Sequence, residues 1–217
     1  MSGRSSASSA HRAIAARLLA LVVLGTAALA VWGELTAQGD GELSVVFLNV
    51  GQGDAVLITA PNRTQVLIDG GADGARVLRE LGAVLPFWDR SIDVVLATHP
   101  DADHIGGLPA VFARFSVSHA LTSGAESDTD LDEALLGAIA AEGAAHTHAR
   151  RGGRVVLDEE AGVVLEILYP DRSVADDADT NDASIVARLV YGEREFLFTG
   201  DVSRDVEEYL LWLDSDS

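Results

Sequence analysis

The chain has 217 residues, 48% hydrophobic and 23% charged, which is enough apolar material for one sizeable domain with a small appendage and excludes a disordered polymer. It has no cysteine, which excludes a disulfide framework, a thiolate zinc finger and a thiol nucleophile. All 15 basic residues are arginine and the formal charge is −19, which excludes Schiff-base lysine chemistry and a Walker-type phosphate lysine and argues against a broad basic surface for nucleic acid.

The charge is unevenly spread. Residues 1–33 hold Arg4, Arg12 and Arg17 and no acid, so twelve arginines face all 34 acids in the rest of the chain. Behind this Ser/Ala-rich basic leader, Leu18 to Trp32 is an uncharged, mostly apolar run of 15 residues, or 19 if it is counted from Ile14 with Arg17 snorkelling at the end. A membrane-spanning helix needs about 20 apolar residues and a signal-peptide core about 7–15. Ala28-Leu29-Ala30 also matches an A-x-A cleavage pattern. Either reading exports the remainder, because the positive end stays inside. We expect residues 1–33 to be a signal anchor, with a cleaved signal peptide and a secreted product as the alternative. A buried core helix is disfavoured, since the run lacks a polar face and caps.

Glu34 to Gly41 reads as a polar linker, and the domain proper as 42–217. Glu42 to Val50 and Ala55 to Thr59 read as strands joined by the turn Gly51-Gln52-Gly53-Asp54. Gln65 to Ile68 is a third strand, ending in Asp69-Gly70-Gly71, which reads as a turn held by hydrogen bonds. The pattern predicts a helix over Ala72 to Leu81 stopped by Gly82, an apolar strand Ile92 to Thr98 buried on both faces, a loop His99 to His104, and a helix Ile105 to Phe115. Val117 to Leu121 is another strand, with His119 expected to be partly buried. Asp128 to Ala141 is a helix capped by Asp128 or Thr129, with Gly143 after it. His146 and His148 resemble a metal pair in sequence but read as exposed. Strands follow at Arg154 to Leu157, Val163 to Leu168, Ser184 to Tyr191 and Glu195 to Thr199, the last two joined by a turn at Gly192. Asp171 to Asp182 is an acidic loop, and Asp205 to Leu213 begins a final helix. Strand runs mixed with helices predict an α/β or α+β layered domain.

The chemistry concentrates in residues 98–108, THPDADHIGGL, where a buried strand ends. His99, Asp101, Asp103 and His104 are four ligand-type side chains within six positions. Residues 99, 101 and 103 alternate, so an extended loop turns them to one side. The spacing suits two nearby metals, one held by His99 and Asp101, the other by Asp103 and His104. A simple helix cap needs one acid and does not explain four such residues. Asp201, just past the strand Glu195 to Thr199, could bridge two such ions at about 3.5–4 Å separation.

The segments FLNVGQGDAVLI (47–58), LIDGG (67–71), HPDADHIGGL (99–108), NDAS (181–184) and FLFTGD (196–201) together resemble the metallo-β-lactamase fold superfamily. They are most similar to the extracytoplasmic domain of ComEC-type DNA-uptake (competence) proteins and their stand-alone relatives. The resemblance implies a four-layer αββα sandwich. It also implies metal ligands at His99, Asp101, Asp103, His104 and Asp201, with Asp101 standing where the general signature has its second histidine. That substitution makes the donor set richer in oxygen. Two divalent ions are implied, Zn²⁺ or Mn²⁺, with Mg²⁺ also compatible. Gln52, Asp54, Asp69, Asn181 and Ser184 are expected to border the site. The family carries a final histidine motif after the next helix and strand, so the second half of the fold is expected to be incomplete in these 217 residues.

A divalent metal lowers the pKa of bound water from about 15.7 to about 7. The expected function is therefore metal-dependent hydrolysis by attack of a metal-bound hydroxide, with Asp103 as the catalytic carboxylate that orients the water or accepts its proton. Phosphodiesters are the substrate that the resemblance implies. Two readings remain open: a membrane-tethered binding module with an incomplete site, and a hydrolase of a small ester or lactam.

Overall fold

The computed structural model describes residues 5–37, 41–127, 129–175 and 179–215. It divides into two units, Met1–Asp40 and Gly41–Ser217. The first is a single helix, α1 (Ser5–Ala37), so residues 34–37 continue the helix where a linker was expected. Its apolar stretch Ile14–Gly33 has 20 residues and a mean hydropathy of 2.3. At 1.5 Å rise per residue that stretch is about 30 Å long, the thickness of a bilayer's hydrocarbon core. By length and composition it fits a membrane anchor or a signal sequence equally.

The second unit is built on two sheets. The first runs β1 (Ser44–Phe47), β2 (Val56–Thr59), β3 (Gln65–Ile68), β4 (Ser91–Ala97), β5 (Ser116–Thr122) and β6 (Ala145–His148), in that order. The β1–β2 and β2–β3 pairs are antiparallel, and the β3–β4, β4–β5 and β5–β6 pairs are parallel. Helices supply the parallel crossovers: α2 (Gly74–Val84), then α3 (Ala102–Ile105) with α4 (Leu108–Phe112), then α5 (Asp130–Glu142). The second sheet is antiparallel throughout, ordered β10 (Arg194–Phe198), β9 (Val186–Tyr191), β8 (Val163–Tyr169), β7 (Arg154–Asp158), and α6 (Arg204–Ser215) follows it. The layered α/β class read from the sequence is what the chain adopts.

Two cores explain the sequence pattern. On β4, Val95 and Ala97 face the helices, packing with Val77 and Leu81 of α2, Leu108 and Phe112 of α4, and Leu135 and Ile139 of α5. Val94 and Leu96 face the second sheet, packing with Leu165, Ile167, Ala187 and Leu189. A strand covered on both faces is apolar at consecutive positions, as IDVVLA is. Each buried Val, Leu, Ile or Phe side chain contributes about 1.5–3 kcal/mol, so β4 is the anchor of the domain.

Several boundaries differ from the expectation. The first strand is short, four residues, followed by one more backbone bond, from the Leu48 amide to the Ala55 carbonyl. Helix α2 is capped by Asp73, whose carboxylate accepts from the Ala75 and Arg76 amides. It runs through Gly82 and stops at Leu85, where the following Pro86 disfavours helical backbone. The helix expected from Ile105 starts earlier, at Ala102, and divides into α3 and α4, so His104 lies on a helical turn and not in a loop. Thr129 caps α5 and Gly143 ends it with φ of 77°, a left-handed conformation that glycine adopts without strain; Asp128 and residues 176–178 of the acidic loop lie outside the described residues. His146 and His148 are exposed as expected but lie on a strand, β6. His119 lies on its expected strand yet is exposed, because position 119 faces away from the helix-covered core.

Candidate metal centre

Parallel pairing of β3 and β4 brings their C-terminal ends to one edge, with Asp69 just past β3 and Thr98-His99 just past β4. The second sheet reaches the same edge. The Ile185 amide donates to the Thr98 carbonyl at 2.9 Å, so the start of β9 is joined to the end of β4. Antiparallel pairing puts the end of β10, and hence Gly200-Asp201, beside the start of β9. The Asp201 amide donates to Ser184 Oγ at 3.3 Å. Gly200, at φ +54°, lies so close to Ser184 and Thr98 that a Cβ there would sit 2.9 Å from Ser184 Cβ.

Asp69 organises the centre. It is 1% exposed, takes a left-handed φ of 57°, and donates its amide to Leu96 O. Aspartate tolerates that conformation better than most residues. Its Oδ1 accepts from the Thr98 amide at 2.8 Å, and its Oδ2 accepts from Thr98 Oγ1 at 2.7 Å and pairs with His104 Nδ1 at 2.8 Å. Thr98 has one hydroxyl proton. With that proton given to Asp69, Thr98 Oγ1 accepts from His99 Nδ1–H at 3.0 Å. The network thus assigns both tautomers, leaving Nε2 of each ring on the open side.

His99, His104 and Asp201 meet there, with one ligand atom from each lying within 4.8 Å of the others. The imidazole centroids are 4.1 Å apart and His104 Nε2 is 3.6 Å from Asp201 Oδ2. His99 Nε2 is buried with no hydrogen-bond partner. A buried unpaired acceptor costs about 1–3 kcal/mol, and a cation at that nitrogen satisfies it. The second-row hydrogen bonds from Asp69 and Thr98 are the arrangement that metal-binding histidines ordinarily have. The donor set of two imidazoles and a carboxylate therefore fits a divalent metal.

The electrostatics of the two rings differ. Burial, reinforced by neighbouring His104, lowers the pKa of His99 against the opposing pull of Asp69, Asp101 and Asp201. Burial also works against a charged His104, but the hydrogen bond and charge of Asp69, with Asp201 and Asp103, outweigh it and push its pKa up to about 9. Without a cation, His104 carries the positive charge of the centre and His99 is neutral.

The other expected residues stand at varying remove. Asp101 Oδ2 is 3.9 Å from His99 Nε2, and its Oδ1 accepts from Thr180 Oγ1 at 2.5 Å. Asp103 is half-buried on α3, outside the group of three. The pairing read from spacing, His99 with Asp101 and Asp103 with His104, thus differs from the observed grouping, because helical winding at Ala102 rotates His104 inward to join His99. Asn181 Oδ1 is buried without a partner, and Ser184 is fully buried under Asp201. Gln52 and Asp54 are exposed on their turn, which docks through Gly53: at φ +74° a Cβ there would overlap the Asp103 carbonyl oxygen. Thr98 and Thr180 were not singled out in the sequence. Thr98 carried a signal, a lone hydroxyl ending an apolar strand beside His99; Thr180 carried none.

The sequence pattern of the Metallo-beta-lactamase superfamily matches residues 48–216, and the chain belongs to that superfamily. Among curated proteins it is similar to ComE operon protein 3 of Bacillus subtilis (strain 168), with 27% identity over 190 residues, covering 80% of this chain and 24% of that protein. Among solved structures it is similar to a HARLDQ-motif mutant of a Cronobacter sakazakii metallo-β-lactamase, at 17% identity and a TM-score of 0.49, covering 74% of this chain and 61% of that one. It is also similar to the metallo-β-lactamase fold protein YhfI of Bacillus subtilis, at 13% identity and a TM-score of 0.47, covering 77% and 65%. The chain spans about a quarter of the curated relative (24%) and under two thirds of these solved ones.

Proposed function

We propose that the chain is a metal-dependent hydrolase of phosphodiesters, held at the membrane by α1 with Gly41–Ser217 on the extracytoplasmic side. The observation that carries this reading is the convergence of His99, His104 and Asp201, with His99 Nε2 buried and unpaired. His99, His104 and Asp201 would hold a divalent cation there, which would supply Lewis acidity toward a phosphoryl oxygen and lower the pKa of water toward about 7. The chain's own residues do the rest. Asp69 and Thr98 fix both imidazoles, so little side-chain freedom is lost on binding. Asp201 supplies the carboxylate that offsets cation charge, and Asp103 orients the attacking water or accepts its proton. Asp101 and Asn181 complete the oxygen-rich side, which favours Mn²⁺ or Mg²⁺ beside Zn²⁺. A domain this acidic repels a phosphodiester, and bound divalent cations are the local countercharge that admits one.

Phosphodiesters are preferred over lactams and small esters on the five-segment resemblance to the exported domain of DNA-uptake proteins. Similarity to ComE operon protein 3, over 24% of that protein, accords with the resemblance itself. The test is a pair of assays on the full chain with Mn²⁺, one with single-stranded DNA and one with a β-lactam. Cleavage of DNA alone, lost on His99→Ala or Asp201→Ala, supports the reading. Turnover of the lactam alone, or DNA cleavage unchanged by those substitutions, overturns it.

A further inference from the structure

A cavity of about 480 Å³ opens beside the cluster, and His99 belongs to the wall of both. That volume lies within the usual range of ligand pockets, about 300–1,000 Å³. Its apolar side is Ile105 and the α5 residues Leu135 and Leu136. Its polar side holds Glu126 and Asp132, the hydroxyls of Thr122, Ser123 and Ser173, and the imidazoles of His146 and His148, whose centroids are 5.3 Å apart at 67°. Among the described lining residues there is no arginine, and the chain has no lysine.

This lining is wrong for a phosphate and right for a neutral, flat, hydrogen-bonding group. A phosphate in the cavity would face two carboxylates with no fixed cation, so it belongs at the metal cluster. What extends from a phosphodiester into an adjoining cavity is the group esterified to it. Leucine side chains and imidazole rings offer faces against which a heteroaromatic base packs. Thr122, Ser123 and Ser173 add hydroxyls, and the charged acceptors are the carboxylates of Glu126 and Asp132. Asp132 already takes one long hydrogen bond from the Ser127 amide, and Thr122 Oγ1 engages His146 Nε2 at 2.9 Å. Carboxylates accept from the exocyclic amine of a base. A base presenting a carbonyl to Glu126 or Asp132, in place of an amine, leaves acceptor against acceptor, which costs binding.

We infer that this cavity is a subsite for a nucleobase bearing an exocyclic amine, on the nucleotide that adjoins the scissile phosphate. The inference rests on the phosphodiester reading of the metal cluster and adds to it a preference for cytosine or adenine over thymine.

The experiment uses the full chain loaded with Mn²⁺ and three labelled hexamers, oligo-dC, oligo-dT and an abasic strand of equal charge. Binding is read by fluorescence anisotropy and cleavage on a gel. Oligo-dC is expected to bind about tenfold more tightly than the abasic strand and about fivefold more tightly than oligo-dT. The variant Glu126→Gln with Asp132→Asn erases the dC-over-dT preference. Leu136→Glu, at a half-exposed position where folding is not at risk, lowers affinity for both base-bearing strands toward the abasic value. Equal binding of all three strands, no binding of any, or a preference that survives both variants overturns the inference. A base preference in binding without cleavage of any strand sinks the hydrolase reading alone; cleavage of all three at one rate sinks the subsite alone.

Discussion

The domain contains two histidine pairs, with His99 of one and both rings of the other lining one cavity, and they differ in what stands behind the rings. His99 and His104 are buried, and their Nδ1 atoms face Thr98 Oγ1 and an Asp69 carboxylate oxygen, so their Nε2 atoms face the open side. His146 and His148 alternate along the edge strand β6, are exposed, and His146 already engages Thr122 through Nε2. Two imidazoles in sequence proximity are thus not by themselves a candidate metal site. A carboxylate beneath them, burial that denies them water, and a third donor from another strand end make a candidate one. Asp69 supplies the first of these and Asp201 the third.

The largest effect that sharpens this contrast is at the ligands. His104→Ala or Asp201→Ala is expected to remove detectable high-affinity metal binding and metal-dependent hydrolysis, while His146→Ala leaves metal affinity within about twofold. Equal losses in both pairs, read by metal titration, would erase the distinction. Next is the carboxylate beneath. Asp69→Asn keeps the shape but removes the charge that sets both tautomers, and loss of such an outer partner costs about 10–100-fold in metal affinity. Retention of full affinity by a folded Asp69→Asn protein would show that the pairs do not differ in this way.

The pH response is smaller and sets His104 apart from the other histidines that shift, without a metal: His99 and His146 are both lowered. His104 has a folded pKa of about 9, above its ordinary 6.5. Its pairing with Asp69 therefore stabilises the metal-free fold fully below about pH 6.5, and that contribution is lost as pH rises through about 9. His146, an exposed residue whose ring is partly desolvated, is lowered first by that desolvation and then by the neighbouring charge of His148, against the pull of Asp132, so its effect has the opposite sign: stability is lost as pH falls. Thermal melts of metal-stripped wild type and His104→Gln between pH 6 and 10 should converge at the alkaline end. A constant gap would contradict the assignment. Smallest in its effect on chemistry is Gly53→Ala. Its Cβ would overlap the Asp103 carbonyl at a positive φ, so about 1–3 kcal/mol of stability is expected to go. Unaltered denaturant midpoints would show that the turn is not docked on α3.

How much of this was legible follows from which forces act locally. The apolar run of β4 shows its double burial because consecutive hydrophobic residues have few other uses, and the HPDADH segment shows its donors because they are adjacent. Strand β6 did not show itself: AHTH is an exposed edge strand held by backbone pairing to β5, which leaves no hydrophobic period. The grouping of His104 with His99 depended on α3 starting at Ala102, a one-turn detail that a loop reading misses. Asp69 looked like a turn residue because its partners are 29 and 35 positions away, brought to it only by the parallel register of β3 and β4. Asp201 was visible as a strand-end acid, whereas its approach to His104 required the Ile185-to-Thr98 link between sheets.

Calorimetric titration of the metal-stripped full chain with Mn²⁺ or Zn²⁺, beside His99→Ala, His104→Ala and Asp201→Ala, tests the centre most directly. The account predicts saturable binding by wild type and its loss in all three variants, each still folded by circular dichroism. A wild type that takes up no divalent cation, or variants that take it up as tightly, would contradict it.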